Sequence, residues 1–322
     1  MTGVQTCALP ISLTTTPAVE PRRRTRASIL QQFRDVRRLS QDLCEPLQPA
    51  DFIPQSMPNA SPVKWHLAHT TWFFETFVLK QFEKDFAPFD DAYEHLFNSY
   101  YNLVGVPFSR PMRGLVTRPS VPQVFGYRDN VTDRVVRTLN ELDGDALDAA
   151  LEIVEVGIHH EQQHQELMLT DLKHLFSCNP LMPTFMETDI PVGRATAPMR
   201  WIAGPDEIQP IGREDDELFA YDNERPRHRV FLEPYEVADR LVTCGEFIEF
   251  IEDGGYETIE LWLDMGWNAA QSEGWSAPLY WFKQDGAWRE FTLHGPRPVD
   301  PHAPVTHVSY FEADAFARWR GL

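Results

Sequence analysis

The 322-residue chain has the 43% hydrophobic and 24% charged content of an ordinary globular protein, and it is long enough for two domains, since single cores usually stop growing near ~150 to 250 residues. Its formal charge of -19 opposes the counterion release that drives nucleic-acid binding, and the short basic cluster Arg22, Arg23, Arg24 and Arg26 does not reverse this, so nucleic acid is excluded as a partner. No apolar run approaches the ~20 residues needed to span a bilayer, and the scattered Cys7, Cys44, Cys178 and Cys244 lack metal or disulfide spacing, which leads us to expect reduced thiols in a cytoplasmic protein without a membrane partner.

The apolar stretch Cys7 to Leu13 has no basic region before it, so it does not fit a secretory signal. The run Val4 to Ile11 resembles the translation of a sequencing-adapter oligonucleotide, and residues 1–26 are set aside as artefact and disordered tail. From Ala27 to Leu43, Ile29, Phe33, Val36, Leu39 and Leu43 recur at three- and four-residue steps, which predicts an amphipathic helix. Ser61 and Pro62 suit the cap and first turn of a second helix through Trp65, Leu67, Trp72 and Phe77 toward Gln81. A third helix is expected from about Phe125 to Leu142. Asp143-Gly144 breaks it, and a fourth runs from Asp145 to Phe176, ending at Asn179-Pro180. Four such helices predict a bundle over residues 27–180, whose core is a usual place for metal sites. The long connection from Asp85 to Val124, rich in Pro, Gly, Tyr and Asn, is expected near the site.

A proline-rich linker, 181–198, precedes a change of texture. Short β-like runs (Trp201 to Ala203, His228 to Leu232, Tyr235 to Ala238) and short helices (Cys244 to Glu252, and Ser309 to Arg318 with Ser309 as cap) predict an α+β domain over 199–322. The chain stops at Arg320-Gly-Leu322 directly after a helix, so a C-terminal truncation is expected.

His160-Glu-Gln-Gln-His164 sets two imidazoles four residues apart, about 40 degrees around a helix axis, so both can reach one ion. The same pattern occurs in zinc peptidases. Against that reading, the downstream glycine and histidine of the metzincin extension are absent, and Gln162 and Gln163 are polar where a peptidase helix packs apolar residues. A solvated helix face is the bland alternative, which a pair at ligand spacing makes harder to hold. His66 and His69 form a second pair on another helix. Either could complete a three-histidine set, and spacing alone does not choose.

The stretches Ser61–Glu75, Phe97–Asn102 and His159–Lys173 resemble the ergothioneine-biosynthesis sulfoxide synthases. Asp222–His228, Ala238–Thr243 and Pro304–Tyr310 resemble the formylglycine-generating-enzyme-like domain that follows a DinB-like bundle in that family, and the likeness runs from about residue 27 to the end. The resemblance implies a DinB-like four-helix bundle followed by an incomplete formylglycine-generating-enzyme/C-type-lectin-like α+β domain. It puts the iron ligands on His69, His160 and His164, leaving His66 as a neighbour and His159 facing elsewhere. It further implies Fe(II) as cofactor and trimethylhistidine (hercynine), a cysteine-type thiol and O2 as small-molecule substrates, joined through a C–S bond into a sulfoxide.

Three neutral imidazoles leave an ion its full charge and about three open positions, attractive to a thiolate. Zinc fits such a cage but has no redox chemistry, so O2 activation argues for iron. Gln163, about 60 degrees from His160 on the helix, can reach a substrate at the metal, and family position suggests hercynine. Tyr100 and Tyr101 are candidate proton or hydrogen-atom donors, with core packing as their bland alternative. Arg110 and Arg113 offer forks for a carboxylate of the thiol, although surface arginines look the same. Glu166 points away from the metal face. Free cysteine is expected as donor over γ-glutamylcysteine. The rivals are an ovothiol-type or selenium-transferring synthase, a non-catalytic metal-binding fragment, and, least favoured, formylglycine-generating activity.

Overall fold

The structure is a computed structural model that describes residues 24–99, 101, 103–188, 190–214 and 219–322. Residues 1–23, most of the segment expected to be artefact and tail, lie outside the described residues. Arg24 and Thr25, assigned to that tail from sequence, belong to the fold instead. Arg24 pairs with Glu152 at 3.0 Å and Glu155 at 2.6 Å, and Thr25 caps helix α1 (Arg26–Asp42) in a reciprocal capping box with Ser28. Such a cap satisfies two N–H groups that the first turn leaves orphaned.

Helix α2 (Val63–Phe74) is buried at every position, its polar Lys64, His66, His69, Thr70 and Thr71 included, which is why it shows no one-sided apolar stripe. It continues through a π-helical turn, Glu75–Leu79, into α3 (Lys80–Phe82). Ser61 does not cap α2. The N-cap is Pro62, without a side-chain bond, and the Ser61 hydroxyl accepts from Arg113 Nη1 at 2.9 Å. The long connection holds the short helix α4 (Tyr93–Leu96) and a 3-10 turn, Arg110–Leu115. Helix α5 (Val121–Glu141) begins four residues before the expected Phe125, because Ser120 and Gln123 form a capping box with proline in the first turn. Helix α6 (Gly144–Ser177) is the longest.

Helices α1, α2, α5 and α6 pack as a bundle, with α2 against both α5 and α6. Gly157 on α6 makes that approach possible, since a Cβ there would lie 2.4 Å from the Phe74 ring. The interior is not wholly apolar. Glu161 is buried and bound by Arg37 Nη1 at 3.1 Å, by Arg128 Nη2 and by the Ser40 hydroxyl at 2.6 Å. A buried charge is tolerated only when paired and hydrogen-bonded in this way.

Beyond the bundle, Phe185 is buried among the bundle's core residues and donates its N–H to Leu293 O at 2.9 Å, so the linker segment is pinned at its start. Strand β1 (Trp201–Ala203) pairs antiparallel with β4 (Glu236–Ala238), and β2 (Ile208–Ile211) with β3 (His228–Phe231). Helices α7 (Cys244–Glu252), α8 (Asp264–Glu273) and α9 (Tyr310–Trp319) enclose a second core around Phe247, Phe250 and Phe316. Strands β5 (Trp281–Gln284), β6 (Ala287–Thr292) and β7 (Gly295–Pro298) form an antiparallel sheet, whose Phe291 joins the bundle's core. Fold class is as expected: a helical DinB-like region followed by a small sheet-containing α+β domain. No helix among the described residues is long and apolar enough to cross a membrane.

Candidate metal centre

Two helices supply four histidines to one point in the bundle. His66 and His69 come from α2, His160 and His164 from α6. The ligand nitrogens of His69, His160 and His164 lie within 4.8 Å of one another, and the ring centroids are separated by 4.6 to 5.1 Å. His66 stands behind His164, its Nδ1 at 2.9 Å from His164 Nδ1. The i, i+4 spacing on α6 produces this convergence directly, because the two rings share one helix face. Glu161, about 100 degrees further round, points into the Arg37 and Arg128 pair instead.

That placement bears on the peptidase reading. The second residue of a zinc peptidase's HExxH serves as general base, but this glutamate is walled off by two guanidiniums. Burial raises its pKa, and the charges of Arg128 and Arg37 more than offset this, so the net direction is down.

His69 is held on three sides. Its Nδ1 donates to Phe97 O at 2.6 Å, which leaves Nε2 as the free lone pair. Its ring stacks on Trp65 at 4.6 Å and 11° and faces Trp72 at 5.5 Å and 14°. The Arg113 guanidinium covers the other face of this stack, 3.4 Å from the Trp65 ring centroid, a cation–π geometry. The long connection thus reaches the site twice, through the Phe97 carbonyl and through Arg113.

Burial holds all three imidazoles neutral. It is the largest influence lowering the pKa of His160 to about 4, and with the neighbouring histidines it puts those of His69 and His164 well below the ordinary value. Neutral imidazoles are the form that binds a metal. His160 Nδ1 is buried with no hydrogen-bond partner, a costly state for a nitrogen unless something binds at the cage. Three neutral nitrogen donors and a buried orphaned ring nitrogen fit a divalent transition-metal ion.

The other candidates spread out. Tyr101 packs its ring on Trp72 at 5.4 Å and Phe77 at 5.1 Å; Phe73, itself near Tyr101, lies 4.9 Å from His160. Burial raises the Tyr101 pKa, so the phenol keeps its proton. Tyr100 lies outside the described residues. Gln163 is exposed on α6, and no hydrogen bond links it to the histidines among the described residues. Arg113 is buried and donates to Ser61 at 2.9 Å and Ser99 at 3.0 Å. Arg110, half-buried, donates to Asn59 O. Glu166 is exposed, pointing away from the cage. Sequence reasoning did not identify Asp171, 3.0 Å from His66 Nε2, although its position seven residues after His164, two turns along one face, was a usable signal. Nor did it find the His159 ring stacked on Phe219 at 4.0 Å, a contact with no local signature.

Comparison with known proteins agrees with this architecture. Residues 32–168 match the DinB superfamily and residues 202–322 the sulfatase-modifying factor enzyme 1-like domain. The chain is 32% identical over 300 residues to the hercynine oxygenase of Mycolicibacterium thermoresistibile, covering 92% of this chain and 63% of that protein. It is 33% identical over 276 residues to the hercynine oxygenase of Mycolicibacterium smegmatis, covering 83% and 59%. A shorter likeness, 29% over 128 residues, joins it to the formylglycine-generating enzyme of Streptomyces coelicolor, covering 34% and 39%. The chain spans about three fifths of the length of the hercynine oxygenases it matches.

Proposed function

We propose that this chain, an ergothioneine sulfoxide synthase-like protein, binds Fe(II) through His69, His160 and His164 and uses it to join hercynine to a cysteine-type thiol with O2. The observation that carries the reading is the convergence of three neutral imidazoles, one buried and two half-buried, from two helices, in a chain similar to hercynine oxygenases over most of its length. When bound, Fe(II) supplies the redox chemistry that O2 activation needs and zinc lacks. The residues' own task is positioning and proton management.

The two tryptophans and the Phe97 carbonyl hold the His69 ring in one orientation, so that its Nε2 lone pair is aimed before any ion arrives. The Arg113 charge, behind Trp65, contributes to lowering the pKa of both His69 and His164, which keeps protons from competing with the ion. Tyr101, half-buried and protonated, is the proton donor we assign, with Tyr100 beside it in sequence. Gln163 is assigned to hercynine, for which its exposure one residue before His164 leaves it available. Arg110 and Arg113 are assigned to the thiol's carboxylate. Arg113 is buried and directs two N–H groups to Ser61 and Ser99, whereas Arg110 is half-buried. Burial adds a second role to Arg113, which also shapes the cage through Trp65.

The test is hercynine binding by calorimetry to the chain with and without a stoichiometric divalent ion. Binding that requires the ion, and that histidine without its methyl groups reproduces poorly, supports the reading. Hercynine binding of equal strength in the metal-free protein overturns it.

A further inference from the structure

Behind the cage, a carboxylate and a fourth histidine stand in line with one ligand. Asp171 Oδ2 accepts from the Ser61 backbone N–H at 2.8 Å and lies 3.0 Å from His66 Nε2. The opposite ring nitrogen, His66 Nδ1, lies 2.9 Å from His164 Nδ1. His66 is buried, so water does not substitute for either contact.

The proton positions follow from what each atom can do. An ionised carboxylate only accepts, so His66 directs an Nε2–H to it, and the neutral ring then presents a lone pair at Nδ1. Two facing ring nitrogens need one donor and one acceptor between them, which makes His164 Nδ1 the donor. His164 is then the Nδ1–H tautomer, with its lone pair on Nε2. The reverse arrangement would put the His164 proton on Nε2, where it would block that nitrogen as a ligand.

We propose that Asp171 and His66 form a positioning relay that fixes the tautomer and ring orientation of His164. This rests on the reading of His69, His160 and His164 as a metal cage. His66 is then neither a ligand nor a bystander. It transmits the charge of Asp171, two turns along α6, to one ligand of the ion. Such outer partners orient a ligating imidazole and raise its basicity, and their loss typically costs 10- to 100-fold in metal affinity.

The experiment has two arms. In the metal-free protein with 15N-labelled histidine, long-range proton–nitrogen correlation reads each tautomer directly, and His164→Ala and His66→Ala assign the signals. The expected result is Nδ1–H for His164 and Nε2–H for His66; a proton on His164 Nε2 overturns the relay. In the second arm, Co(II) affinity is measured by chelator competition, with the visible bands of the bound ion recording its geometry. His66→Ala should weaken binding about 10- to 100-fold while still taking one ion, with altered bands. Asp171→Asn should weaken it in the same direction. The double variant should be no worse than His66→Ala, because the residues act through one another. His66→Asn, whose amide oxygen can accept from His164, should recover part of the loss. If His66→Ala does not fold, the near-isosteric Asp171→Asn decides. Wild-type affinity in both single variants, with binding lost in His69→Ala, overturns the relay and leaves the cage standing. A wild-type protein that binds no ion overturns both.

Discussion

Replacing Glu161 with glutamine separates a structural carboxylate from a catalytic one. In the folded protein this side chain binds Arg37, Arg128 and Ser40, and Arg37 and Arg128 are both buried. The glutamine keeps shape and loses charge, leaving two buried guanidiniums without their counterion. Removing one member of a buried ion pair costs about 3–5 kcal/mol. At about 2–4 °C per kcal/mol for a domain of this size, the melting temperature should fall by roughly 6–20 °C. The assay is thermal and urea unfolding of metal-free wild type and Glu161→Gln at pH 7, with metal stoichiometry of the variant measured at low temperature, where it remains folded. Large destabilisation with one ion still bound is expected. A variant as stable as wild type would refute the reasoning that this glutamate serves the bundle's core.

Other consequences follow from the same packing. Gly157→Ala should destabilise by about 1–3 kcal/mol through overpacking, despite the better helix propensity of alanine, since its Cβ would press on the Phe74 ring; denaturant midpoints check this, and a stabilised variant would contradict it. The metal-free protein should lose stability as pH falls from about 6.5 toward 4. The folded pKa of His160 lies below its unfolded value, at about 4 against 6.5, so the unfolded chain binds the extra proton in that window and stability is fully present only above it. That shift corresponds to about 3 kcal/mol from His160, readable from unfolding midpoints across the window, and His160→Gln should flatten the profile. In turnover mixtures with equal cysteine and γ-glutamylcysteine, mass spectrometry should find the cysteine-derived sulfoxide predominant, a tenfold preference being only about 1.4 kcal/mol; a predominant γ-glutamyl product would contradict the assignment.

The bundle was legible because α1, α5 and α6 carry one-sided apolar periodicity, with ends marked by Asp143 and Asn179. Helix α2 was less so. Every one of its residues is buried, so it has no polar face to mark it, and its prediction leaned on the Ser61-Pro62 start signal, of which the cap by Ser61 is not made. The β5–β6–β7 sheet was missed although Asp285-Gly286, both at positive φ, is a strong hairpin signal between two short strands. Within the site, HExxH spacing gave one face of the cage. The choice between His66 and His69 turns on contacts from distant segments, the Phe97 carbonyl for one and Asp171 for the other. The burial of Glu161 was hidden for the same reason, since Arg37 and Arg128 lie far from it in sequence and meet it only when the helices pack.

The central claim is the three-histidine site, and its most direct measurement is anaerobic Fe(II) titration of wild type beside His66, His69, His160 and His164 each changed to alanine, with folding checked by circular dichroism. The account predicts one ion per chain in wild type, one ion held more weakly in His66→Ala, and no stoichiometric binding in the other three. Undiminished binding in any folded variant of His69, His160 or His164, or a loss at His66 as complete as at those positions, would contradict it.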